Sequence, residues 1–492
     1  MNYVSTRDGK TAVTASQAII RGIAPDGGLY VPVTVPEIDL DFIRTLGGMD
    51  YRARAVKVLG LFLEEFSETE LAEIAAASYA DNFAAPETAP LRVLDDSTAV
   101  LELWHGPTCA FKDMALQIMP RLLTASLKKN GEARTASILV ATSGDTGKAA
   151  LEGFKDVPGT RIMVFYPKGG VSEMQRLQMA TQEGENVNVV AVEGNFDDAQ
   201  TGVKRIFGDS DFAKKLDERG FFLSSANSIN WGRLVPQIVY YISAYCDYVS
   251  AGKIALGDEI DFCVPTGNFG NILAGWFAKK MGLPVRKFIC ASNDNNVLTD
   301  FINTGVYDKN RPFYLTGSPS MDILVSSNLE RLLYCVTRDA SLVSGYMAKL
   351  ATDGRYEVSP AVMDAIRADF VGGFSTDAGS KEEIARLWKE GYLMDTHTAV
   401  ASRVLRNFRE KTGESFPCVI VSTASPFKFG GAVLEAIGVK TDKNGPALMD
   451  ELTGATGVPA PAPLAAVSKK PVRFDGWVEL GEMEKAVSEF LS

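Results

Sequence analysis

"TASILVATSGDTGKAALEGF" (residues 135–154) decides how the chain is read. An apolar run with β-branched residues leads into a turn of small and polar residues, SGDTG at 143–147, and a helical pattern follows from Lys148. A short apolar run bounded by such a turn reads as a strand buried on both faces, and strands of that kind belong to parallel sheets covered by helices. The same order recurs. "RIMVFYP" (161–167) passes through "KGGVS" into "EMQRLQMATQEG", and "NVNVVAV" (186–192) passes through "EGNF" into "DDAQTGVKRIF". Further on, "EIDFCVPT" (259–266) passes through "GNFGN" into "ILAGWFAKKMG", and "PCVIVST" (417–423) through "ASPFKFGG" into "AVLEAIG". Strands alternating with helices predict an open α/β fold, in which ligands collect beyond the carboxyl ends of the strands.

Residues 1–95 read differently. They carry amphipathic helices, "DYRARAVKVLGLFLEEF" and "SETELAEIAAASYADNF", and end in the Pro-containing "APETAPL". The predicted organisation is a mainly helical N-terminal extension (1–95), a first α/β domain (96–250), a second (251–445), and a C-terminal connector and helix (446–492). The connector, "GVPAPAPLAAVSKKP", is rich in Pro and Ala and is expected to run extended over the surface.

Composition narrows the function. Of 492 residues 46% are hydrophobic and 23% charged, with a net charge of −11, which suits a soluble globular protein and argues against nucleic acid as a partner. No apolar run reaches the ~18 residues that span a bilayer, and the N-terminus lacks an unbroken apolar segment, so a cytoplasmic protein without membrane partners is expected. Six scattered cysteines without a CxxC pair, and only two histidines, argue against a disulfide framework or a metal centre.

Chemistry is concentrated in the turns. In "HGPTCAFKDMALQIM" (105–119) a helix starting near Phe111 puts Lys112 on one face with Ala115, Leu116 and Met119. A lysine ordinarily snorkels its charge into water. One held against an apolar face is desolvated, and its free amine becomes available as a nucleophile or base. In "PTGNFGNILAGWFAKKMG" (265–282), Gly267 and Gly270 allow the backbone to approach an anion, and the following helix offers unpaired N–H groups. A plain strand-to-helix turn has the same appearance. The SGDTG turn offers Ser143 and Thr146 to an anionic group, although Asp145 or Thr146 reads equally as a helix cap. An imine-forming amine near a single-phosphate cradle suggests pyridoxal phosphate. Its ring nitrogen would then meet a hydroxyl from the end of "VIVSTASPFKF", Ser422 or Thr423, which are otherwise ordinary strand-terminal residues.

Taken in order, "HGPTCAFKDMA", "ATSGDTGKAA", "PTGNFGN" and "STASPFKF" resemble threonine synthase, a family of pyridoxal-phosphate enzymes of fold type II, the tryptophan-synthase-β-like kind. "APDGGLYVP" (24–32) and "DTHTAVAS" (395–402) are similar to segments of the same family. The resemblance implies two open parallel-sheet domains, with Lys112 as the imine-forming catalytic lysine. It also implies that Gly267, Asn268, Phe269, Gly270 and Asn271 hold the cofactor phosphate, and that Thr423 meets the ring nitrogen. Some relatives carry Asn where Asp145 stands, so the role of Asp145 is open. The implied reaction converts O-phospho-L-homoserine and water to L-threonine and phosphate, with Lys112 moving the protons. The substrate phosphate needs its own site, for which Ser143, Thr146, Asn227, Ser228, Arg233 and Lys428 are candidates. Asn227 and Asn230 also read as helix caps and Arg233 as a surface ion pair. A dehydratase or a phospholyase giving 2-oxobutyrate, and a non-catalytic binder of a phosphorylated metabolite, are the alternatives. His397 is expected to be a buried or capping histidine, and the protein a monomer or homodimer.

Overall fold

The computed structural model describes all 492 residues apart from the side chain of Asp197. Two sheets organise it. The larger has six strands in the order Phe370–Phe374, Val285–Ser292, Ile260–Pro265, Cys418–Ser422, Thr98–Glu102 and Leu91–Val93. All neighbours are parallel except Leu91–Val93, which runs antiparallel to Thr98–Glu102. The smaller has five parallel strands in the order Trp477–Val478, Val187–Val192, Thr160–Pro167, Thr135–Ala141 and Phe221–Ser224. Every residue of Ile260–Pro265 is buried, as a parallel strand with both faces covered must be.

Local chemistry explains the elements. Asp50 accepts from Ala53 N to start the helix Tyr51–Phe62, and Ser67 with Glu70 forms a capping box at the start of Glu68–Ser78. The helix Trp231–Ser250 is buried from Trp231 through Cys246 and packs on Gly270–Met281, Tyr51–Phe62 and Leu40–Gly47. A helix that is apolar nearly all round belongs in an interior, and this one joins the N-terminal helices to the large sheet. No helix among the described residues is long and apolar enough to cross a membrane. All six cysteines are free.

Several expectations are corrected. A boundary near residue 250 does not separate the sheets, because Thr98–Glu102 hydrogen-bonds to Cys418–Ser422 and joins the large sheet. The small-sheet unit is therefore inserted between the first strands of the large sheet and its remainder. The N-terminal region, besides its helices, contains a three-stranded antiparallel sheet of Asn2–Ser5, Val13–Thr14 and Tyr30–Pro32. The C-terminal segment is more than a connector. Trp477–Val478 adds the edge strand of the small sheet, and Met483 and Val487 of the last helix pack on Val203 and Ile206. The Pro/Ala-rich stretch is not extended throughout: Ala462–Ala465 forms a short helix with Pro463 in its first turn, where a missing N–H costs nothing. Periodicity shows where strands lie, whereas sheet membership depends on hydrogen-bond partners hundreds of residues away.

Candidate active site

The strand Thr98–Glu102 leads into a turn built around Asp113. Thr108 donates its N–H and its hydroxyl to the Asp113 carboxylate at 2.8 and 2.7 Å, and a Cβ at Gly106 would lie 2.6 Å from Asp113. Burial pushes the Asp113 carboxyl up to about 6. The turn is then laced to the loop after Cys418–Ser422. Phe111 N donates to Thr423 O at 2.8 Å, Ser425 N to Cys109 O at 3.1 Å, and Ala110 bridges Ala424. This lacing brings Lys112 beside Thr423.

The predicted continuous helix breaks in two. Lys112 precedes the single turn Asp113–Leu116, and a second helix, Met119–Lys129, follows with Pro120 near its start. The inward direction of Lys112 survives the break: it is 8% exposed. Among the described residues no acceptor pairs with its ammonium, which lies 4.7 Å over the Phe111 ring. Burial brings its pKa down to about 8, with Arg233 and Lys428 acting the same way and Asp145 opposing them.

The glycine loop joins the same site through Ser320, which packs on Gly267 and reaches Asp145, the carboxylate whose charge acts on Lys112. Phe269 takes the left-handed conformation at φ +63°, and the helix Gly270–Met281 starts directly after it. Gly267 faces the 318–321 segment so closely that a Cβ would sit 2.9 Å from Ser320 O. The loop's carbonyls are held from behind: Ser326 Oγ donates to Gly267 O at 2.7 Å, and Asn328 donates N–H and Nδ2 to Asn268 O at 3.1 and 3.0 Å. The amides of residues 267–271 have no partner among the described residues, and the Nδ2 of Asn271 is a buried donor without a partner. A row of unpaired donors at a helix start has the geometry of an anion cradle. Phe269 contributes its backbone alone; its ring is buried against Phe370 at 5.4 Å.

Of the two strand-end hydroxyls, Ser422 is already engaged, accepting from Trp104 Nε1 and Thr398 Oγ1, each at 3.0 Å. Thr423 is buried, its carbonyl accepts from the amide of Phe111, the residue before Lys112, and its hydroxyl has no partner among the described residues.

The SGDTG turn supplies the site's charge. Gly144, at φ +132°, precedes the helix Asp145–Phe154, and Thr142 Oγ1 accepts from Gly144 N and Gly147 N at 3.0 and 2.9 Å, so neither Asp145 nor Thr146 is the cap. Asp145 receives Lys428 Nζ at 2.9 Å, Gln175 Nε2 at 3.1 Å and Ser320 Oγ at 3.4 Å. Its burial alone would raise the carboxyl, but Lys428 and Lys112 outweigh burial and hold it below the usual carboxylate range. Lys428 also donates to Thr108 O at 3.0 Å, so it neutralises Asp145 and is not a free cation for substrate phosphate. Ser143 and Thr146 are half-buried.

Arg233 is not a surface ion pair. It is 4% exposed, donates Nη1 to Ala226 O at 2.8 Å, and leaves Nε buried without a partner. Burial lowers its pKa to about 10. Asn230 caps the helix Trp231–Ser250 through Gly232 N at 2.9 Å. Asn227 does not cap that helix, and its Oδ1 is buried and unpartnered. Ser228 is half-buried and offers its carbonyl to Arg331 Nη1 at 3.3 Å.

Three contributors escape sequence reading. Arg331, fully buried, ties Tyr30 O, Ser228 O and Asn328 together behind the glycine loop. Ser320 touches both Asp145 and Gly267. His397 anchors Ser320, accepting its N–H on Nε2 at 3.1 Å while Nδ1 faces Asp395 at 2.9 Å. No local pattern marks these residues, since each acts on a segment distant in sequence. Among the described residues no group of His, Cys, Asp and Glu is placed to hold a metal ion.

A desolvated lysine and a loop of unpaired amides, each in a turn that follows a parallel strand, suit a pyridoxal-phosphate-dependent enzyme, and residues 98–424 match the family model described as "Pyridoxal-phosphate dependent enzyme". Residues 2–79 match "Threonine synthase N terminus", and residues 398–477 match "Threonine synthase, C-terminal". The chain is 37% identical over 475 residues to the threonine synthase of Schizosaccharomyces pombe, covering 90% of this chain and 91% of that one. It superposes on the crystal structure of a pyridoxal-phosphate-bound threonine synthase from Brucella melitensis with a TM-score of 0.88 and 39% identity, covering 100% and 99% of the two chains. The chain belongs to the threonine synthase family. It is also 43% identical over 458 residues to threonine synthase-like 1 of Homo sapiens, and it spans 61% of the length of that relative.

The residues present fit the cofactor. Lys112 offers the amine, residues 267–271 the phosphate cradle, and Thr423 a hydroxyl for the ring nitrogen.

Proposed function

We propose that the chain is a threonine synthase, converting O-phospho-L-homoserine and water to L-threonine and inorganic phosphate. The observation that carries the proposal is Lys112, a buried and unpaired amine in a chain whose 267–271 loop leaves a row of backbone amides free for one phosphate. Pyridoxal phosphate, when bound, supplies a conjugated ring that takes up the electron pair left as a proton leaves the substrate Cα. Lys112 takes that proton, gives it up again, and as a free amine removes one from Cβ as phosphate departs from Cγ; it then returns a proton to Cγ and, after water adds at Cβ, one to Cα. With a pKa of about 8, one amine can both accept and donate near neutral pH. Thr423, a hydroxyl and not a carboxylate, leaves the ring nitrogen free of a fixed positive charge.

The substrate phosphate is received, in this proposal, by Arg233 with Ser143, Thr146, Asn227 and Ser228. The support is that Arg233 is buried without a carboxylate and keeps an unpartnered donor. Asp145, in the same turn as Ser143 and Thr146, is an anion paired to Lys428, so that turn presents no uncompensated negative charge to the phosphate. The proposal carries with it a cytoplasmic setting, supported by six free thiols, and a monomer or homodimer. The test is an assay of threonine and free phosphate from O-phosphohomoserine. Wild type is expected to release both in equal amounts, and Lys112→Ala to fold, lose the violet absorption and release neither. Accumulation of 2-oxobutyrate in place of threonine would show a lyase of the same fold.

A further inference from the structure

The amide of Asn271 is oriented by the tyrosines behind it. Asn271 stands in the first turn of Gly270–Met281, where the helix closes the glycine loop. Its Oδ1 lies 2.6 Å from the Tyr240 hydroxyl and 2.7 Å from the Tyr241 hydroxyl, and its Nδ2 is buried with no partner. Oxygen and nitrogen of an amide are distinguished by their hydrogen bonds, so the neighbours must decide which end faces which way. Tyr240 does not decide. Its hydroxyl also lies 3.0 Å from Gln237 Oε1, so it can donate there and accept from an amide nitrogen equally well. Tyr241 does decide. It is fully buried between Phe262 and Phe288, and among the described residues Asn271 is the sole partner of its hydroxyl. A buried O–H needs an acceptor, and of the two amide ends only the oxygen accepts.

We propose that Tyr241 is a positioning residue for the cofactor phosphate: by holding Oδ1 of Asn271 it turns Nδ2 toward the anion cradled by residues 267–271. The inference rests on the reading of that loop as the phosphate site. Without Tyr241 the amide can reverse, and an oxygen dipole then meets the phosphate oxygens where a donor stood.

The experiment compares two aldehydes on the full chain stripped of cofactor. Pyridoxal phosphate and pyridoxal both form the coloured imine with Lys112, but only the first carries a phosphate. Tyr241→Phe is expected to weaken pyridoxal phosphate about tenfold, the scale of one hydrogen bond to a charged group, and to leave pyridoxal unchanged. In an Asn271→Ala background the same substitution is expected to add nothing, because its route is gone. Equal losses for both aldehydes, a loss that persists without Asn271, or no loss at all would overturn the assignment. Asn271→Asp is an independent arm that keeps an acceptor for Tyr241 but puts a carboxylate oxygen where Nδ2 stands. It is expected to weaken pyridoxal phosphate more than Tyr241→Phe does and to spare pyridoxal; equal losses for the two aldehydes in this variant would also overturn the assignment. A wild-type protein that binds pyridoxal phosphate no better than pyridoxal would instead sink the reading of the loop itself.

Discussion

At the scale of the residue, Lys112 trades stability for chemistry. Its ammonium is buried without a counter-ion in hydrogen-bonding range, so the folded state favours the free amine more than the unfolded state does. The unfolded chain then binds more protons between about pH 8 and the ordinary lysine value, and for this group stability rises with pH across that window. Lys112→Met is therefore expected to stabilise the cofactor-free protein by about 1–3 kcal/mol at pH 7, with the gain fading as pH climbs through that window. Urea unfolding of both proteins at several pH values checks this, and a gain that grows with pH would contradict it. Asp145 is the opposite case. Asp145→Asn leaves Lys428 buried without its charge partner and is expected to cost about 3–5 kcal/mol, of which Lys428→Met in the same chain recovers a substantial part. A double-mutant cycle in urea measures the recovery.

At the scale of the element, the glycine loop is pressed between a helix and a crossing segment. The helix Gly270–Met281 supplies donors in front, while Ser326 and Asn328 hold the carbonyls behind and the Ser320 carbonyl presses on Gly267. Gly267→Ala drives a methyl to 2.9 Å from a backbone oxygen that cannot rotate away. The expected result is a folded protein with at least about tenfold weaker pyridoxal phosphate binding, read by absorbance titration alongside circular dichroism. His397 acts on this element at one remove through Ser320 N, so its placement in the helix Thr396–Thr412 is more than a cap. Much of this was legible beforehand. The turn GNFGN, its preceding apolar strand and the buried direction of Lys112 are local facts, carried by residue type and spacing. Ser320 and His397 were not, because a serine in a loop and a histidine at a helix start have no pattern that names a distant partner.

At the scale of the whole molecule, the site lies where two sheets present their carboxyl ends to each other. Lys112, Thr423 and the glycine loop come from the large sheet, and the SGDTG turn comes from the small one. The Lys428–Asp145 pair bridges them. The small unit depends on the C-terminal segment, whose strand Trp477–Val478 and helix Met483–Phe490 cover Val192, Val203 and Ile206. Deleting residues 475–492 is expected to speed amide hydrogen exchange in Val187–Val192 while the large-sheet strand Ile260–Pro265 keeps its protection. Uniform loss of protection in both sheets would show that the two units do not open separately.

The sequence by itself determined the strands, the turns that follow them, the glycine loop and the inward lysine. Each of these depends on apolar runs, glycine freedom and helix-start chemistry within about a dozen neighbouring residues. Only the tertiary structure decided that Thr98–Glu102 joins the strands of the large sheet, that Lys428 cancels Asp145, that Arg233 stands buried without a carboxylate, and that Tyr241 faces Asn271. Those relations are set by which strands pair and which helices pack. Burial makes an unpaired charge or hydroxyl costly enough that the partners found there fix its role.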